Sequence, residues 1–145
     1  GHHKIQYEPG ESRSGMFGGN SNWRGPIWMP LNYMIIQSLR KYYTFYGPTY
    51  LYEFPTGSSN KLNLNEIANE LTKRLVKLFE RDENGKYQYH ADDSNHVFSK
   101  EEHFKDQHFF YEFFDGDTGK GLGASHQTGW TALIANLILE MDNNQ

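Results

Sequence analysis

Apolar residues recur at helical spacing in three segments of this 145-residue chain, and this periodicity constrains the fold more than any other feature. The segments span 30–46, 63–81 and 128–141. Pro30 suits a first helical turn, Asn63 and Glu66 form a capping-box pattern, and Thr128 can cap the last helix. The predicted apolar stripes comprise Ile35, Leu39, Tyr42 and Tyr46; Leu64, Ile67, Leu71, Leu75 and Leu78; and Leu133, Ile134, Leu137, Ile138 and Met141.

The segments between the helices are irregular. Residues 1–29 are rich in Gly, Ser, Asn and Pro, which predicts a long loop, although Trp23 and Trp28 argue against disorder. Tyr87 and Tyr89 alternate as in a strand after a DENGK turn, and 108–114 is a second strand-like run. We therefore expect one mainly α-helical unit over 1–145, with connecting loops gathered at one end and a few short strands there.

Charge and composition exclude several classes of partner. The net charge of −4, with acidic and basic residues interspersed, provides no basic face for nucleic acid. No apolar run approaches the roughly 18 residues of a membrane span, and the absence of cysteine suits a reducing compartment. We expect a soluble, cytoplasmic chain with no nucleic-acid and no membrane partner.

Aromatic residues make up 16% of the chain, an unusual share for a polar sequence. Most aromatic rings serve a core, but a surplus of rings also suits platforms on which sugars stack. Single-stranded nucleic acid, another stacking ligand, needs a basic groove. Core packing and carbohydrate binding therefore remain as the two explanations for the high aromatic content.

The stretch FYEFFDGDTGKGLGASHQTGW (110–130) places Glu112 among four aromatic residues, ahead of a glycine-rich loop. A poorly solvated carboxylate suits general acid or base chemistry near neutral pH. The glycines let backbone approach a ligand, and Trp130 offers a flat face to a sugar. Alternatively, Glu112 faces outward from an amphipathic strand whose neighbours Tyr111 and Phe113 face the core.

The same loop does not fit a metal or phosphate site. Asp115 and Asp117 begin like a calcium loop, but Gly119 and Lys120 occupy the next required positions and no glutamate closes the loop. GDTGKG lacks the spacing of a phosphate-binding loop, and the histidine spacing supports no zinc site. We therefore assign no metal and no cofactor.

Two long stretches, GGNSNWRGPIWMPLNYMIIQSL (18–39) and FYEFFDGDTGKGLGASHQTGWTALIA (110–135), resemble the C-terminal part of glycoside hydrolase family 63, the processing α-glucosidases and their bacterial relatives. The resemblance runs from Gly10 to about Ile138, and similar WRGP and GWT loops recur in family 37 trehalases. It implies the last part of an (α/α)6 barrel, a ring of helical hairpins with the sugar pocket at one end. Residues 1–29 would then be an active-site loop region.

The resemblance also implies inverting hydrolysis of an oligosaccharide or small α-glucoside, in which one carboxyl protonates the glycosidic oxygen and another activates water. Glu112 matches the family's general base. No residue matches the general acid, an aspartate of an earlier segment, so the rest of the barrel becomes an expected partner. Without it, we expect uncovered apolar surface and self-association of the isolated chain.

Further residues around the sugar pocket follow from the resemblance. The implied substrate-binding residues are Trp23, Arg24, Trp28, Gln127 and Trp130, with His126 behind them. An arginine fixes hydroxyls or carboxylates by hydrogen bonds, and a tryptophan stacks on the sugar ring. Asp115 stands where the family has a histidine, and we expect Asp115 and Asp117 to cap turns.

A rival hypothesis is a non-catalytic carbohydrate-binding or helical interaction module. Such a module needs no pair of acids, whereas hydrolysis needs a second carboxylate facing Glu112. The catalytic interpretation predicts that Trp23, Arg24, Glu112 and Trp130 converge on one pocket.

Overall fold

The computed structural model describes residues 4–90, 98 and 101–142, and within these ranges the chain is mainly helical, as predicted. The α-helices with described bounds are α1 (Met29–Tyr46), α2 (Leu64–Lys77), α3 (Thr128–Thr131) and α4 (Leu133–Asp142). Short 3-10 helices lie at Met16–Asn22 and Gln88–His90. Two antiparallel hairpins comprise β1 (Tyr52–Glu53) with β2 (Lys61–Leu62), and β3 (Phe113–Phe114) with β4 (Gly121–Leu122).

The core lies where α1, α2 and α4 pack against one another. Met29 and Ile36 of α1, Ala68 of α2 and Leu137 of α4 are completely buried there. Phe114 of β3 is also completely buried in the same cluster. The hairpin that follows Glu112 is therefore anchored directly on the helical core.

The predicted apolar stripe is confirmed for α2 but wrong for α1. Leu75 of the α2 stripe is buried, whereas Ile35, Tyr42 and Tyr46 of the α1 stripe are all exposed. The buried face of α1 instead contains Ile36. Because α1 carries apolar side chains around much of its circumference, periodicity alone fits two faces, and the packing of α2 and α4 selects one.

A polar bridge joins the three core helices beside the apolar contacts. Arg40 of α1 forms an ion pair with Glu140 of α4, and both carboxylate oxygens of Glu140 also accept hydrogen bonds from Gln37 at 2.7 and 2.9 Å. Arg40 further donates to Asn69 of α2 at 3.4 Å. These side chains are only partly exposed, so the bridge fixes the relative placement of the helices more firmly than a surface ion pair would.

The predicted helix ends and caps are confirmed only in part. The capping box of Asn63 and Glu66 is present, but α2 ends at Lys77, before the predicted end at 81. The predicted cap Thr128 is wrong, because the Gln127 side chain caps α3 by accepting from the Gly129 N–H. The last segment is also divided at Ala132, and α4 begins afterwards.

The strand predictions are mostly wrong. Only Phe113–Phe114 of the run 108–114 is a strand. Tyr87 bridges Arg81, but Tyr89 lies in a 3-10 turn, and the two tyrosine rings stack 5.0 Å apart. Side chains two positions apart in an extended strand lie roughly 6.6 Å from one another. Tyr87 and Tyr89 are both buried with their rings closer than this, and the tighter 3-10 turn allows that contact. The DENGK turn is confirmed, since the Asp82 carboxylate accepts the N–H groups of Asn84 and Lys86.

The outer face of α1 carries exposed apolar side chains. Ile35 is 52%, Tyr42 57% and Phe45 82% exposed, and Met34 and Tyr46 lie beside them. A continuous patch of this kind on a single chain marks a contact surface. In the part of the chain that the structure describes, no helix combines the length and apolar character needed to cross a membrane.

We predict that the isolated 145-residue chain self-associates through this face of α1. Light scattering should report species larger than a monomer, and a hydrophobic dye should bind strongly. Replacing Phe45 with Lys should reduce both signals, because Phe45 is the most exposed of these rings, whereas Ile5→Lys, also at an exposed position but distant in sequence, should not. A monodisperse monomer with little dye binding would contradict this prediction.

Candidate active site

Three tryptophans that are distant in sequence form one cluster. The Trp23 ring lies 5.5 Å from Trp28 in a stacked arrangement and 5.6 Å from Trp130 in an edge-on arrangement. Trp28 in turn stacks on Phe113 at 4.4 Å. Trp28 is 3% exposed, while Trp23 and Trp130 are half-buried. Trp23 and Trp130 therefore keep part of their ring surface exposed, whereas Trp28 is buried beneath them.

Backbone hydrogen bonds join the two loops that supply this cluster. Ile27 and Phe114 bond reciprocally, with N···O distances of 2.7 Å and 3.0 Å, as in an antiparallel pair. The Gly116 N–H donates to the carbonyl of Pro9 at 2.8 Å. The loop before α1 thus runs alongside the segment that carries Glu112.

Glu112 lies half-buried beside the tryptophans, and three hydrogen bonds hold it. Its N–H donates to the Ala124 carbonyl at 2.8 Å, and its own carbonyl accepts from Trp130 Nε1 at 2.8 Å. Its carboxylate Oε2 accepts from the Ala124 N–H at 3.0 Å. Among the described residues, no group donates a hydrogen bond to Oε1. One carboxylate oxygen is therefore fixed, and the other retains its lone pairs.

Gly123 makes room for this carboxylate. A Cβ at position 123 would lie 2.6 Å from Glu112 Oε2 and 2.8 Å from the Phe113 ring. The backbone at Gly123 also has φ of +69°, a conformation that L side chains rarely adopt. Both constraints allow only glycine without strain.

The prediction that the aspartates after β3 cap turns is confirmed for Asp115, whereas the Asp117 carboxylate instead bonds the distant Tyr7. Asp115 accepts hydrogen bonds from the backbone of Asp117 and Thr118 and from the Thr118 hydroxyl. Burial opposes ionisation of Asp115, but these hydrogen bonds outweigh it and lower the pKa of the carboxyl. Asp117 accepts from the Tyr7 hydroxyl at 3.1 Å, and burial together with that hydrogen bond raises the pKa of Tyr7.

The structure does not bring every predicted site residue to the tryptophan cluster. The Arg24 guanidinium packs 4.5 Å over the Phe17 ring and lines a separate cavity of about 370 Å³ with Tyr7 and Glu8. No ion pair joins Arg24 to Glu112 within the described ranges. Trp23 and Glu112 both contact Trp130, whereas Arg24 lines a different cavity, and the shared sugar pocket stays a prediction.

Gln127 and His126 lie at the start of α3. Gln127 is a helix cap, and its N–H donates to the Phe110 carbonyl at 2.6 Å. His126 is exposed, with its ring 5.7 Å from that of Phe110. Both residues therefore contact the segment that leads into Glu112, and the Gln127 side-chain oxygen already accepts a backbone hydrogen bond.

Sequence reasoning missed three residues that contribute to the site. Gly123 and the Ala124 N–H hold the carboxylate, and only the glycine content of the loop hinted at close backbone contact. Thr131 is completely buried, and its hydroxyl donates to the Tyr111 carbonyl at 2.6 Å. No pattern in the sequence distinguishes this threonine from any other helical threonine.

The structure thus combines a helical core with a carboxylate held beside two half-buried tryptophans. Residues 6–131 match the family model described as the mannosylglycerate hydrolase MGH1-like glycoside hydrolase domain. The chain belongs to this glycoside hydrolase family. The resemblance to family 63 is thereby confirmed, since its α-glucosidases are among the relatives.

Several curated proteins are similar to the chain. An uncharacterised protein of Saccharomyces cerevisiae is 52% identical over 94% of the chain and 13% of its own length. The mannosyl-oligosaccharide glucosidase of the same yeast is 30% identical over 84% of the chain and 11% of its own length. Alpha-glucosidase 2 of Arabidopsis thaliana is 30% identical over 81% and 11%. The chain thus spans about a tenth of these relatives, and no solved structure matches it significantly.

We predict that Gly123→Ala destabilises the protein more than Gly85→Ala does. Both glycines have positive φ, so each substitution carries strain of about 1–2 kcal/mol. Only position 123 adds a steric conflict, because a Cβ at Gly85 would meet open space. Thermal unfolding measures the difference, and a crystal structure of Gly123→Ala should show the Glu112 carboxylate displaced. Equal losses with an unmoved carboxylate would contradict the role assigned to Gly123.

Proposed function

We propose that the chain is the C-terminal part of an (α/α)6-barrel catalytic domain and supplies the general base of an inverting α-glucosidase. The substrate would be an oligosaccharide or a small α-glucoside. Membership of a glycoside hydrolase family supports hydrolysis, and the glucosidase names of several relatives support an α-glucoside. The lack of cysteine remains our reason for expecting a cytoplasmic location.

The bonding of the Glu112 carboxylate is the observation that carries this proposal. Oε2 is held by the Ala124 N–H, which fixes the direction of the carboxylate. Oε1 accepts no hydrogen bond from the described residues and can accept one from a water molecule. An oriented carboxylate with one oxygen available to water is what general-base catalysis requires.

In the proposed reaction, Glu112 acts as the base on the water that attacks the sugar. Glu112 removes a proton from water as the water oxygen attacks the anomeric carbon from the face opposite the leaving group. The glycosidic carbon–oxygen bond breaks, and a second carboxyl donates its proton to the leaving oxygen. Inverting enzymes keep the two carboxyls roughly 6.5–9.5 Å apart to admit the water. We assign the second carboxyl to a part of the polypeptide outside this chain.

The tryptophans would bind the sugar beside this carboxylate. Trp23 and Trp130 are half-buried and present ring surface, whereas Trp28 supports them from below. Arg24 would contact a more distant part of the substrate, from its cavity beside Phe17. Gln127 and His126 would act through the segment before Glu112, which they contact.

The remaining part of the barrel would cover the outer face of α1. Its exposed apolar side chains support a helix–helix contact there. Two buried donors, Trp28 Nε1 and Arg40 Nε, have no partner among the described residues. Because this chain already encloses both atoms, they do not bear on that contact, which rests on the exposed face of α1.

Glu112→Gln should abolish most turnover in the natural protein that carries this chain. The amide keeps the size and shape of the side chain but cannot accept a proton from water. General-base assistance is worth roughly 10²–10⁴-fold, and the loss should appear in kcat with little change in KM. Initial rates on a chromogenic α-glucoside measure it. Asp117→Asn is the control, since Asp117 is exposed and its carboxylate accepts a hydrogen bond only from Tyr7 among the described residues. A Gln variant with near-normal kcat would show that Glu112 is not the base and would support the alternative in which Glu112 is the polar residue of an amphipathic segment.

Trp23→Ala should weaken substrate binding more than it weakens folding. Trp23 is half-buried at the surface of the cluster, so replacing it with alanine removes a face on which the sugar would stack. An aromatic contact contributes about 1 kcal/mol or more to binding, so KM should rise roughly tenfold. Trp28→Ala is the matched comparison. Because Trp28 is 3% exposed, this change should lower thermal stability sharply, by about 3–5 kcal/mol. Unchanged KM in the Trp23 variant would remove Trp23 from the binding site.

A further inference from the structure

Three consecutive backbone carbonyls, those of residues 110–112, accept hydrogen bonds from α3 and its N-cap. The Phe110 carbonyl accepts from the Gln127 N–H at 2.6 Å, and the Tyr111 carbonyl accepts from the Thr131 hydroxyl at 2.6 Å. The Glu112 carbonyl accepts from Trp130 Nε1 at 2.8 Å. All three donors lie within five residues of one another, so a single short helical segment holds the backbone on which Glu112 stands.

The two peptide planes that flank the Glu112 Cα are therefore fixed. The plane between residues 111 and 112 is held at its carbonyl by Thr131 and at its N–H by the Ala124 carbonyl. The following plane is held at the Glu112 carbonyl by the Trp130 indole. These planes define φ and ψ at Glu112, and φ and ψ determine the direction in which its side chain leaves the backbone.

We propose that Thr131 is a positioning residue for the reaction: its hydroxyl fixes the Tyr111–Glu112 peptide and thereby the direction of the Glu112 carboxylate. This inference rests on the proposed role of Glu112 as the base. Thr131 is completely buried in the core beside Tyr111, so neither substrate nor water needs to touch it. It acts on the reaction only through the backbone of Glu112.

The surroundings of Tyr111 make Thr131 the critical donor. The Tyr111 ring packs so closely on Gly121 that a Cβ there would lie 2.3 Å from the ring, and its hydroxyl lies 3.1 Å from His90 Nε2. The side chain of Tyr111 is thus fixed on the core. Loss of the Thr131 hydroxyl removes one of the two hydrogen bonds that hold the peptide between Tyr111 and Glu112, which leaves this peptide freer to rotate about the Tyr111 ψ angle. That rotation moves the Glu112 backbone and, with it, the carboxylate.

Thr72 provides a matched control. It is also completely buried, and its hydroxyl also donates to a backbone carbonyl, that of Ala68, at 2.9 Å. That carbonyl lies one turn earlier within α2, far in sequence from Glu112. Replacing either threonine with valine keeps the shape of the side chain and removes one buried donor. A purely structural role predicts similar consequences for the two positions.

The experiment compares Thr131→Val, Thr131→Ser and Thr72→Val in the natural protein that carries this chain, with a chromogenic α-glucoside as the probe. We expect Thr131→Val to lower kcat by roughly 10–100-fold with little change in KM, because a displacement of about 1 Å at a reacting group has effects of this size. Thr131→Ser should restore kcat to within about threefold, since the hydroxyl returns. Thr72→Val should leave kcat unchanged even where it lowers thermal stability.

Glu112→Gln, measured in parallel, distinguishes the positioning role of Thr131 from the role of Glu112 as the base. If Glu112→Gln loses turnover while Thr131→Val keeps it, the positioning role is overturned and the role of Glu112 stands. Equal loss of kcat in Thr72→Val would also overturn the positioning role, as would a Ser variant no more active than Val. If Glu112→Gln keeps turnover, the proposed function itself fails. Should Thr131→Val not fold, Thr131→Ala replaces it, because alanine also removes the hydroxyl but places no extra methyl group against the Tyr111 carbonyl, and the same loss of kcat is expected.

Discussion

The reciprocal hydrogen bonds between Ile27 and Phe114 are the contact on which the site depends. They join the loop before α1 to the strand after Glu112, although the two lie more than eighty positions apart in sequence. Phe114 is completely buried in the helical core, so the pair also anchors both loops to that core. The stacking of Trp28 on Phe113 and the approach of Trp23 to Trp130 follow from this alignment.

Glu112 is rigid because backbone groups, rather than other side chains, hold its carboxylate. The donor to this carboxylate is the backbone N–H of Ala124, so no donor side chain has to be ordered for the hydrogen bond to form. Gly123 leaves room for the carboxylate beside this N–H. Preorganised groups of this kind need no rearrangement at the moment of reaction. The glycine-rich loop thus orients Glu112 through a backbone N–H, and no cation pairs with this carboxylate among the described residues.

Local signals in the sequence predicted the features that depend on local chemistry. The capping box at Asn63, the turn at Asp82 and the buried face of α2 follow from side chains within a few residues of one another. The buried face of α1, the cap at Gln127 and the donor at Thr131 depend on partners distant in sequence, and no periodicity encodes them. The importance of Glu112 came from resemblance, whereas its bonding to Ala124 came only from the structure.

The central claim is that Glu112 activates water on the face of the sugar opposite the leaving group. Its most direct test is the configuration of the first product, followed by proton NMR as the natural protein that carries this chain cleaves an α-glucoside. The account predicts that the β-anomer of the released sugar appears first and then equilibrates by mutarotation, because a base of this kind inverts the anomeric carbon. Release of the α-anomer first would show retention of configuration and contradict the role given to Glu112.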